Sequence, residues 1–179
     1  SAGWIKFKGS SIDNKFSYAK YEYNVSWKNI MKIESDTIPN PVVLSFDIEV
    51  NSTNINKFPT GDKADDKIFQ ISCVFNNNQN YLLTLGNCNP IKNTTILSYK
   101  NELSLLLGFV DLINEHNPNI ILGYNILGFD IPYMIKRSKS EFCNCFDDFS
   151  KMGFIVNKKC NEKNIKWSSS AYRNQEFPS

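Results

Sequence analysis

The chain has 179 residues, of which 41% are hydrophobic and 21% charged, and its formal net charge at pH 7 is +2. This length and composition exclude a disordered chain and predict a soluble globular protein of one domain, or of one domain plus a fragment. The small net charge excludes a broad basic surface for duplex DNA, so any contact with nucleic acid must be local. We expect neither a signal peptide nor a membrane-spanning segment, because no apolar run is long enough.

The cysteines indicate a reducing compartment. There are five of them, an odd number, and no C-x-x-C motif occurs. Cys143 and Cys145 have no second pair nearby, so they do not predict a zinc site. Reduced thiols inside the cell are the default expectation for such a chain. The N-glycosylation patterns at Asn24, Asn51 and Asn93 are then interpreted as chance matches.

Residues 1–40 are predicted to form short strands and turns. Three segments favour strands, because aromatic or alternating residues dominate them: 4–8, 18–23 and 24–27. Pro39 and Pro41 follow, and each favours extended backbone at the residue before it. We therefore predict a boundary here, with residues 1–40 as a short β-rich piece and residues 41–179 as the main domain.

The main domain is predicted to be an α/β layer structure. In chain order its predicted elements are strands at 42–50, 67–75 and 81–85, a helix at 101–116, a short buried strand at 119–124, the start of a helix at 128–137 and a strand at 162–167. The first three strands follow each other closely and predict an antiparallel meander. The fourth is expected to return through the helix and lie parallel to the first, which makes a mixed sheet with helices packed on it.

Two acids at the end of the first strand of the main domain predict a metal site. Asp47 and Glu49 are separated by Ile48, and residues two apart on a strand face the same side. Two carboxylates on one face are costly unless a cation lies between them, and Mg²⁺ prefers oxygen ligands. The alternative is a surface strand of alternating polarity. The apolar run before the pair argues against it, because it predicts a strand buried on both faces.

A second polar motif lies within residues 117–133. The strand there delivers Tyr124 and Asn125 at its end, and a tight turn with Gly128 leads into a helix. Asp130 is then expected at or near the helix N-terminus. A capping role is the alternative for Asp130. Its place beyond a strand end, where the first acidic pair also lies, favours a shared site.

These two motifs resemble two regions of family B DNA polymerases. The residues that are similar to the Exo I region are 45–49, Phe58-Pro59 and 68–72, and those similar to the Exo II region are 123–133. They occur in the family's order. Residues 1–5 and the segment around Trp27 also resemble the stretch before Exo I in delta-type polymerases and in their relatives in large DNA viruses.

The resemblance implies a 3′→5′ proofreading exonuclease domain with an RNase H-like fold. Residues 1–40 would be the end of the polymerase's β-rich N-terminal domain, and 41–179 the exonuclease domain, truncated at its C-terminus. The implied chemistry is two-metal hydrolysis of the 3′-terminal phosphodiester, with Mg²⁺ as the metal and Mn²⁺ as an alternative. Asp47 would bridge both metals, Glu49 would bind one and orient the water, and Asp130 would hold the second.

The resemblance also implies DNA-binding residues. Phe58 would stack against the frayed 3′ bases, Tyr124 and Asn125 would line the single-strand groove, and Phe129 would pack beneath it. The alternatives are a core or loop-anchoring role for Phe58 and no role for Asn125. The implied partners are the single-stranded 3′ end of a primer strand and, through other parts of the polymerase, a sliding clamp. The implied place of action is the nucleus or a viral replication site.

Two sets of the family's motifs are not found in this chain. The third exonuclease motif, Tyr-x-x-x-Asp, is not found; Tyr172 and Glu176 have the spacing, but with Glu in place of Asp, and are interpreted as coincidence. The palm-domain motifs are not found either. We therefore expect a piece of a larger polymerase that is nearly inactive as a nuclease by itself. A free-standing exonuclease and an inactive nucleic-acid-binding domain of the same fold are the alternatives.

Overall fold

The computed structural model describes residues 3–161, 164–167 and 175–178. The first forty residues form two small antiparallel ladders. Their strands are β1 (Trp4–Phe7), β2 (Ser10–Ser11), β3 (Tyr23–Asn24) and β4 (Ile30–Ile33), with β1 paired to β4 and β2 paired to β3. The strand predicted at 4–8 is confirmed as β1.

The other two strands predicted in this segment are largely wrong. The chain before β3 is irregular because the carboxylate of Glu22 accepts hydrogen bonds from the backbone N–H groups of Phe16 and Ser17, at 3.0 and 3.1 Å, and folds the chain back on itself. After β3, residues Trp27–Asn29 form a 3₁₀ turn. Two-residue pairings and local turns therefore replace the longer aromatic strands.

A five-stranded mixed sheet forms the centre of the fold. Its strands are β5 (Val43–Val50), β6 (Ile68–Phe75), β7 (Asn80–Leu85), β8 (Thr95–Tyr99) and β9 (Ile120–Leu122), in the order β8-β7-β6-β5-β9. The pairs β5–β6 and β6–β7 are antiparallel, which confirms the predicted meander. The pair β5–β9 is parallel, as predicted.

Strand β8 was not predicted. It lies parallel to β7, and a connection without a helix joins the two. Parallel strands are usually joined by a dozen or more residues, most often with a helix among them. No helix precedes β8 to indicate a parallel strand. A five-residue strand after a short polar loop then has no sequence pattern that distinguishes it from irregular chain.

The described residues form three α-helices: α1 (Glu102–His116), α2 (Asp130–Lys139) and the single turn α3 (Phe146–Phe149). Helix α1 packs on the sheet, and α2 and α3 pack against α1 and against each other. Helix α1 begins where the side chain of Asn101 accepts a hydrogen bond from the N–H of Ser104 at 2.9 Å. It ends at Asn117, whose left-handed backbone (φ 43°) reverses the chain. No helix in the described part of the chain is long and apolar enough to span a membrane.

The last described residues form a separate pair of strands, β10 (Asn164–Trp167) and β11 (Gln175–Pro178), which are antiparallel. Strand β10 matches the strand predicted at 162–167, although residues 162 and 163 lie outside the described residues. Tyr172 also lies outside them.

The core lies between the sheet and helix α1. It includes Leu44, Phe46 and Ile48 from β5 and Leu105, Leu106 and Phe109 from α1. Strand β5 is therefore buried on one face only, and the prediction of burial on both faces is wrong. Strand β9 is also exposed rather than buried, because its three residues lie at the sheet edge, 40–46% accessible.

The N-terminal piece and the main domain touch. Ser17 pairs with Ile155, and backbone hydrogen bonds of 2.9 Å join Tyr18 to Phe154 and Val156 to Phe16. The boundary at residues 40 and 41 stays a prediction. Contact between the two parts means that the N-terminal piece is not an independent arm.

Candidate functional site

Strand β5 carries the two acids singled out in the sequence. Asp47 and Glu49 are exposed on one face, and Ile48 between them is buried in the core. This alternation follows from the period of two along a strand. Burial of Ile48 fixes which face the carboxylates occupy.

Asp130 lies next to strand β5, although it is distant from it in sequence. It is the first residue of α2 and is 2% exposed. Its Oδ1 accepts a hydrogen bond from the backbone N–H of Ile48 at 3.1 Å. Phe129, not Asp130, occupies the cap position, so the capping alternative does not describe Asp130. The bond to Ile48 joins the start of α2 to the middle of the acidic pair.

The turn between β9 and α2 makes this approach close. A Cβ atom on Gly123 would lie 2.5 Å from the carbonyl oxygen of Phe46 and 2.3 Å from Cγ2 of Ile126. Only glycine fits there without moving the backbone of β5. Asn125 then adopts a left-handed conformation (φ 52°) and turns the chain towards α2. Backbone geometry by itself therefore accounts for Gly123 and for Asn125.

The electrostatics of Asp130 indicate two carboxylates held near each other. Burial raises the pKa of Asp130 above its ordinary value, the N–H groups of Ile48 and of Asp130 itself oppose this rise, and the neighbouring carboxylate of Asp47 adds to it. Such a pair is relieved by a shared proton or by a cation. Carboxylate oxygens are the ligands that hard divalent cations prefer.

Among the described residues, Glu49 does not form a cluster of three close carboxylates with Asp47 and Asp130. In residues 3–161, 164–167 and 175–178, no three His, Cys, Asp or Glu side chains lie close enough together to hold a metal ion. The structure thus brings Asp47 and Asp130 together and leaves Glu49 exposed two residues along the strand. The assignment of all three as metal ligands stays a prediction.

Four residues were predicted to form the DNA-binding surface, and the structure brings two of them, Phe58 and Phe129, into contact. Phe58 is 74% exposed and touches Phe129 edge to face, with ring centroids 5.2 Å apart. Phe129 in turn packs against Tyr133. Tyr124 is 93% exposed, and Asn125 is exposed beside it. Phe58 is not a core residue, and its role in binding DNA stays a prediction.

The carboxylate that organises the loop of Phe58 was not predicted. Asp66 is fully buried, and its side chain accepts hydrogen bonds from the N–H and hydroxyl of Thr53, at 2.9 and 2.8 Å, and from the N–H of Thr60, at 2.9 Å. These bonds lower the pKa of Asp66 to about 2. The exposed acids Asp62 and Asp65 stand in the same loop, so no local pattern distinguishes Asp66 from them.

A buried ion pair was missed as well. The guanidinium of Arg137, fully buried on α2, binds the carboxylate of Glu102 through two nitrogens, with Nε 2.7 Å from Oε1. Its other N–H groups donate to the carbonyls of Gly61 and Lys63, at 3.1 and 2.6 Å. Glu102 also accepts the N–H of Ile68 at 2.9 Å. This network joins α1, α2, β6 and the loop before β6.

Stability is expected to fall as the pH drops below about 4. Because the pKa of Asp66 is about 2 in the folded chain against an ordinary 3.8, its contribution is complete above the unfolded value and is lost as the pH falls towards 2. Urea unfolding at pH 5, 3.5 and 2.5 measures this loss. The Asp66→Asn variant should lose less between these pH values than the unaltered chain, and Asp65→Asn should lose as much. An equal loss in all three proteins would contradict the assignment.

Comparison with known proteins agrees with this geometry. Residues 1–178 match the family model described as DNA polymerase family B, exonuclease domain. The chain is 45% identical to DNA polymerase 120R of Invertebrate iridescent virus 3, over 99% of the chain and 17% of that protein. It is 34% identical to DNA polymerase 037L of Invertebrate iridescent virus 6, over 96% of the chain and 16% of that protein.

A herpesvirus relative extends the likeness. The chain is 33% identical to the DNA polymerase catalytic subunit of Saimiriine herpesvirus 2, over 84% of the chain and 16% of that protein. The chain thus spans about a sixth of the length of these viral polymerases. Its five-stranded mixed sheet with flanking helices is the RNase H-like exonuclease fold that the resemblance implied. The chain belongs to the exonuclease domain of DNA polymerase family B.

Proposed function

We propose that this chain is the proofreading part of a viral DNA polymerase and removes the 3′-terminal nucleotide of DNA by metal-assisted hydrolysis. The observation that carries the proposal is that the carboxylate of Asp130 lies close to that of Asp47. The N–H of Ile48 donates a hydrogen bond to Asp130 and holds it in this position. The matched family and the viral polymerases among its relatives support the same activity. We place the activity where the viral genome is replicated inside the host cell, the nucleus included.

The acidic residues fit a divalent metal. Asp47 and Asp130 offer oxygen ligands, and their mutual repulsion favours a cation between them. Asp47, Glu49 and Asp130 would hold Mg²⁺, or Mn²⁺ in its place. When bound, a pair of such ions supplies an activated water and stabilises the charge on the leaving 3′ oxygen.

The chain's own residues supply position. The N–H of Ile48 holds one oxygen of Asp130, and the Asp130 carboxylate lies within hydrogen-bonding reach of the Asp47 side chain. Glu49, exposed at the end of the same strand face, would orient the attacking water. Because Ile48 is locked in the core, the carboxylates need little reorganisation when DNA arrives.

Aromatic side chains would receive the DNA. Phe58 offers an exposed ring for the 3′-terminal base, and base stacking on an aromatic ring tolerates any sequence. Tyr124 and Asn125 would line the path of the single strand, with Phe129 supporting Phe58 from below. The substrate is therefore a frayed 3′ end and not a paired duplex. A sliding clamp would be reached through other parts of the polymerase.

Titration with Mg²⁺ or Mn²⁺ tests the metal site. Either ion should raise the thermal stability of the unaltered chain, because a ligand that binds only the folded state stabilises it by about 2.7 kcal/mol at 100 times its Kd. Asp47→Ala should abolish this rise. Asp36→Ala, which removes an exposed acid before β5, should keep it. The absence of any rise in the unaltered chain, or an equal rise in the Asp47 variant, would contradict the proposal.

The 179-residue chain is expected to degrade single-stranded DNA poorly with Mg²⁺. Asp47, Glu49 and Asp130 provide three carboxylates, whereas the family's site has a fourth, so they should hold at best one metal well. Digestion of a 5′-labelled oligonucleotide, followed on a denaturing gel, measures the activity. A chain extended downstream should digest it much faster, and Asp130→Ala should remove that gain. Robust digestion by the 179-residue chain would contradict the expectation.

A further inference from the structure

The loop that carries Phe58 is built around one buried carboxylate. This loop, residues 51–67 between β5 and β6, is here called the Phe58 loop. The N–H of Asn51 donates to the carbonyl of Lys67 at 2.9 Å and closes its base. Within it, the hydroxyl of Ser52 donates to the carbonyl of Lys57 at 2.9 Å, just before the ring. The loop is thus ordered although most of its side chains face solvent.

Asp66 joins the two limbs of the Phe58 loop. Thr53 lies on the limb before Phe58 and Thr60 on the limb after it, and the carboxylate of Asp66 accepts hydrogen bonds from both. The two limbs are therefore held a fixed distance apart around Phe58. Hydrogen bonds to a charged acceptor are stronger than those between neutral groups. The buried guanidinium of Arg137 also holds the carbonyls of Gly61 and Lys63, but both of these lie on the limb after Phe58.

The same residue ties the loop to the helix of the acidic site. The carbonyl of Asp66 accepts a hydrogen bond from the hydroxyl of Tyr133 at 2.8 Å. Tyr133 lies on α2, the helix that begins at Asp130, and packs against Phe129, which supports the Phe58 ring. Packed or hydrogen-bonded groups therefore connect the start of α2, at Asp130, with the ring of Phe58.

The Phe58 loop holds its aromatic ring at the surface and not in the core. Here Phe58 is 74% exposed and has one edge contact, while a fully buried carboxylate holds the backbone on both sides of it. The buried group therefore orders a ring that adds little to the core. This combination is what a preformed stacking platform needs, because order before binding lowers the entropy cost of binding.

We propose that Asp66 is a positioning residue for the substrate, which holds the Phe58 ring where the 3′-terminal base of single-stranded DNA stacks. The inference rests on the proposed function and deepens it. The side chain of Asp66 is fully buried, so it would not itself touch the DNA. It acts through the backbone of Thr53 and Thr60 on the loop between them.

A double-variant cycle tests the proposal. The probe is a short single-stranded oligodeoxynucleotide with 2-aminopurine at its 3′ end, whose fluorescence is quenched when the base stacks. Phe58→Ala should weaken binding roughly 5- to 150-fold and remove the quenching, as expected for one lost base stack. Asp66→Asn should act in the same direction. Because both residues serve one contact, the double variant should bind no more weakly than Phe58→Ala alone.

Controls separate position from folding. Asp65→Asn changes the adjacent exposed acid, and Ile55→Ala changes another exposed apolar residue of the loop; both should bind as the unaltered chain does. If Asp66→Asn does not fold, Thr53→Val removes one of the three bonds at constant volume and should give a smaller loss in the same direction. Metal-induced stabilisation that needs Asp47 should persist in Asp66→Asn and Phe58→Ala.

Three results would overturn the inference: unchanged binding and quenching in Asp66→Asn or its Thr53→Val substitute, additive losses in the double variant, or no binding of the oligonucleotide by the unaltered chain. Each leaves the proposed metal site standing if the Asp47-dependent stabilisation is seen. Loss of that stabilisation from the unaltered chain would instead count against the proposed function. The two failures are therefore distinguishable.

Discussion

Replacing Arg137 by methionine is expected to lower the free energy of unfolding by about 3–5 kcal/mol, the range for breaking a buried ion pair by removing one partner. The reason is what stays behind. Glu102 remains buried without its counter-ion, and the carbonyls of Gly61 and Lys63 lose their donors. Methionine replaces the apolar stem of the arginine side chain, so most of the loss comes from the missing guanidinium. Urea unfolding at pH 7 measures the change.

The neighbouring Lys136 provides the control. Its ammonium lies 2.5 Å from the carboxylate of Asp62, but both side chains are about half exposed or more. Exposed pairs contribute about 0–1 kcal/mol, so Lys136→Met should change stability little. Adding Glu102→Leu to Arg137→Met should recover part of the loss, and only part, because the N–H of Ile68 then lacks its acceptor. Equal losses in Arg137→Met and Lys136→Met would contradict the burial of the pair.

Replacing Phe109 by alanine is expected to lower the free energy of unfolding by about 3–5 kcal/mol through a core cavity. Phe109 lies on α1 and is 2% exposed, and its ring centroid is 5.1 Å from that of Phe46 on β5. Phe46 immediately precedes Asp47. The cavity would therefore open directly behind the strand that carries the acids, and metal-induced stabilisation should weaken along with the fold.

Phe58→Ala is the matched substitution at the surface. It removes the same atoms from a ring that is 74% exposed, and such changes usually alter stability by about 0.5 kcal/mol or less. Urea unfolding of both variants measures the contrast. The pair separates two uses of phenylalanine in one domain, since the first should affect folding and the second binding of DNA. A stability loss in Phe58→Ala as large as that in Phe109→Ala would contradict the exposed position of the ring.

The features that could be predicted from the sequence have a local signature. Alternation along β5 placed Asp47 and Glu49 on one face, and the strand-turn-helix pattern after Gly123 placed Asp130 at a helix start; both are confirmed. Burial of β5 on both faces was predicted wrongly, because an apolar run does not reveal whether a second layer covers it.

The features that escaped prediction depend on distant partners. Arg137 and Glu102 are 35 residues apart in sequence, and only the packing of α2 against α1 brings them together. Asp66 differs from Asp65 beside it only in where its side chain points once Thr53 and Thr60 have closed the loop. A buried charged residue can be identified from the groups that pair with it, and folding brings those groups together from distant parts of the sequence.

The shortness of β9 explains how a strand in the middle of a sheet can serve the acidic site. Strand β9 pairs with β5 from Val43 to Ser45 and ends at Leu122, whereas β5 continues to Val50. Beyond Ser45 this edge of β5 has no strand beside it among the described residues, and the N–H of Ile48 donates to Asp130 instead of to a neighbouring backbone. The carboxylate of Asp130 thus lies where the next backbone hydrogen bond between β9 and β5 would form. Two more paired residues in β9 would occupy the N–H of Ile48 and make it unavailable to Asp130.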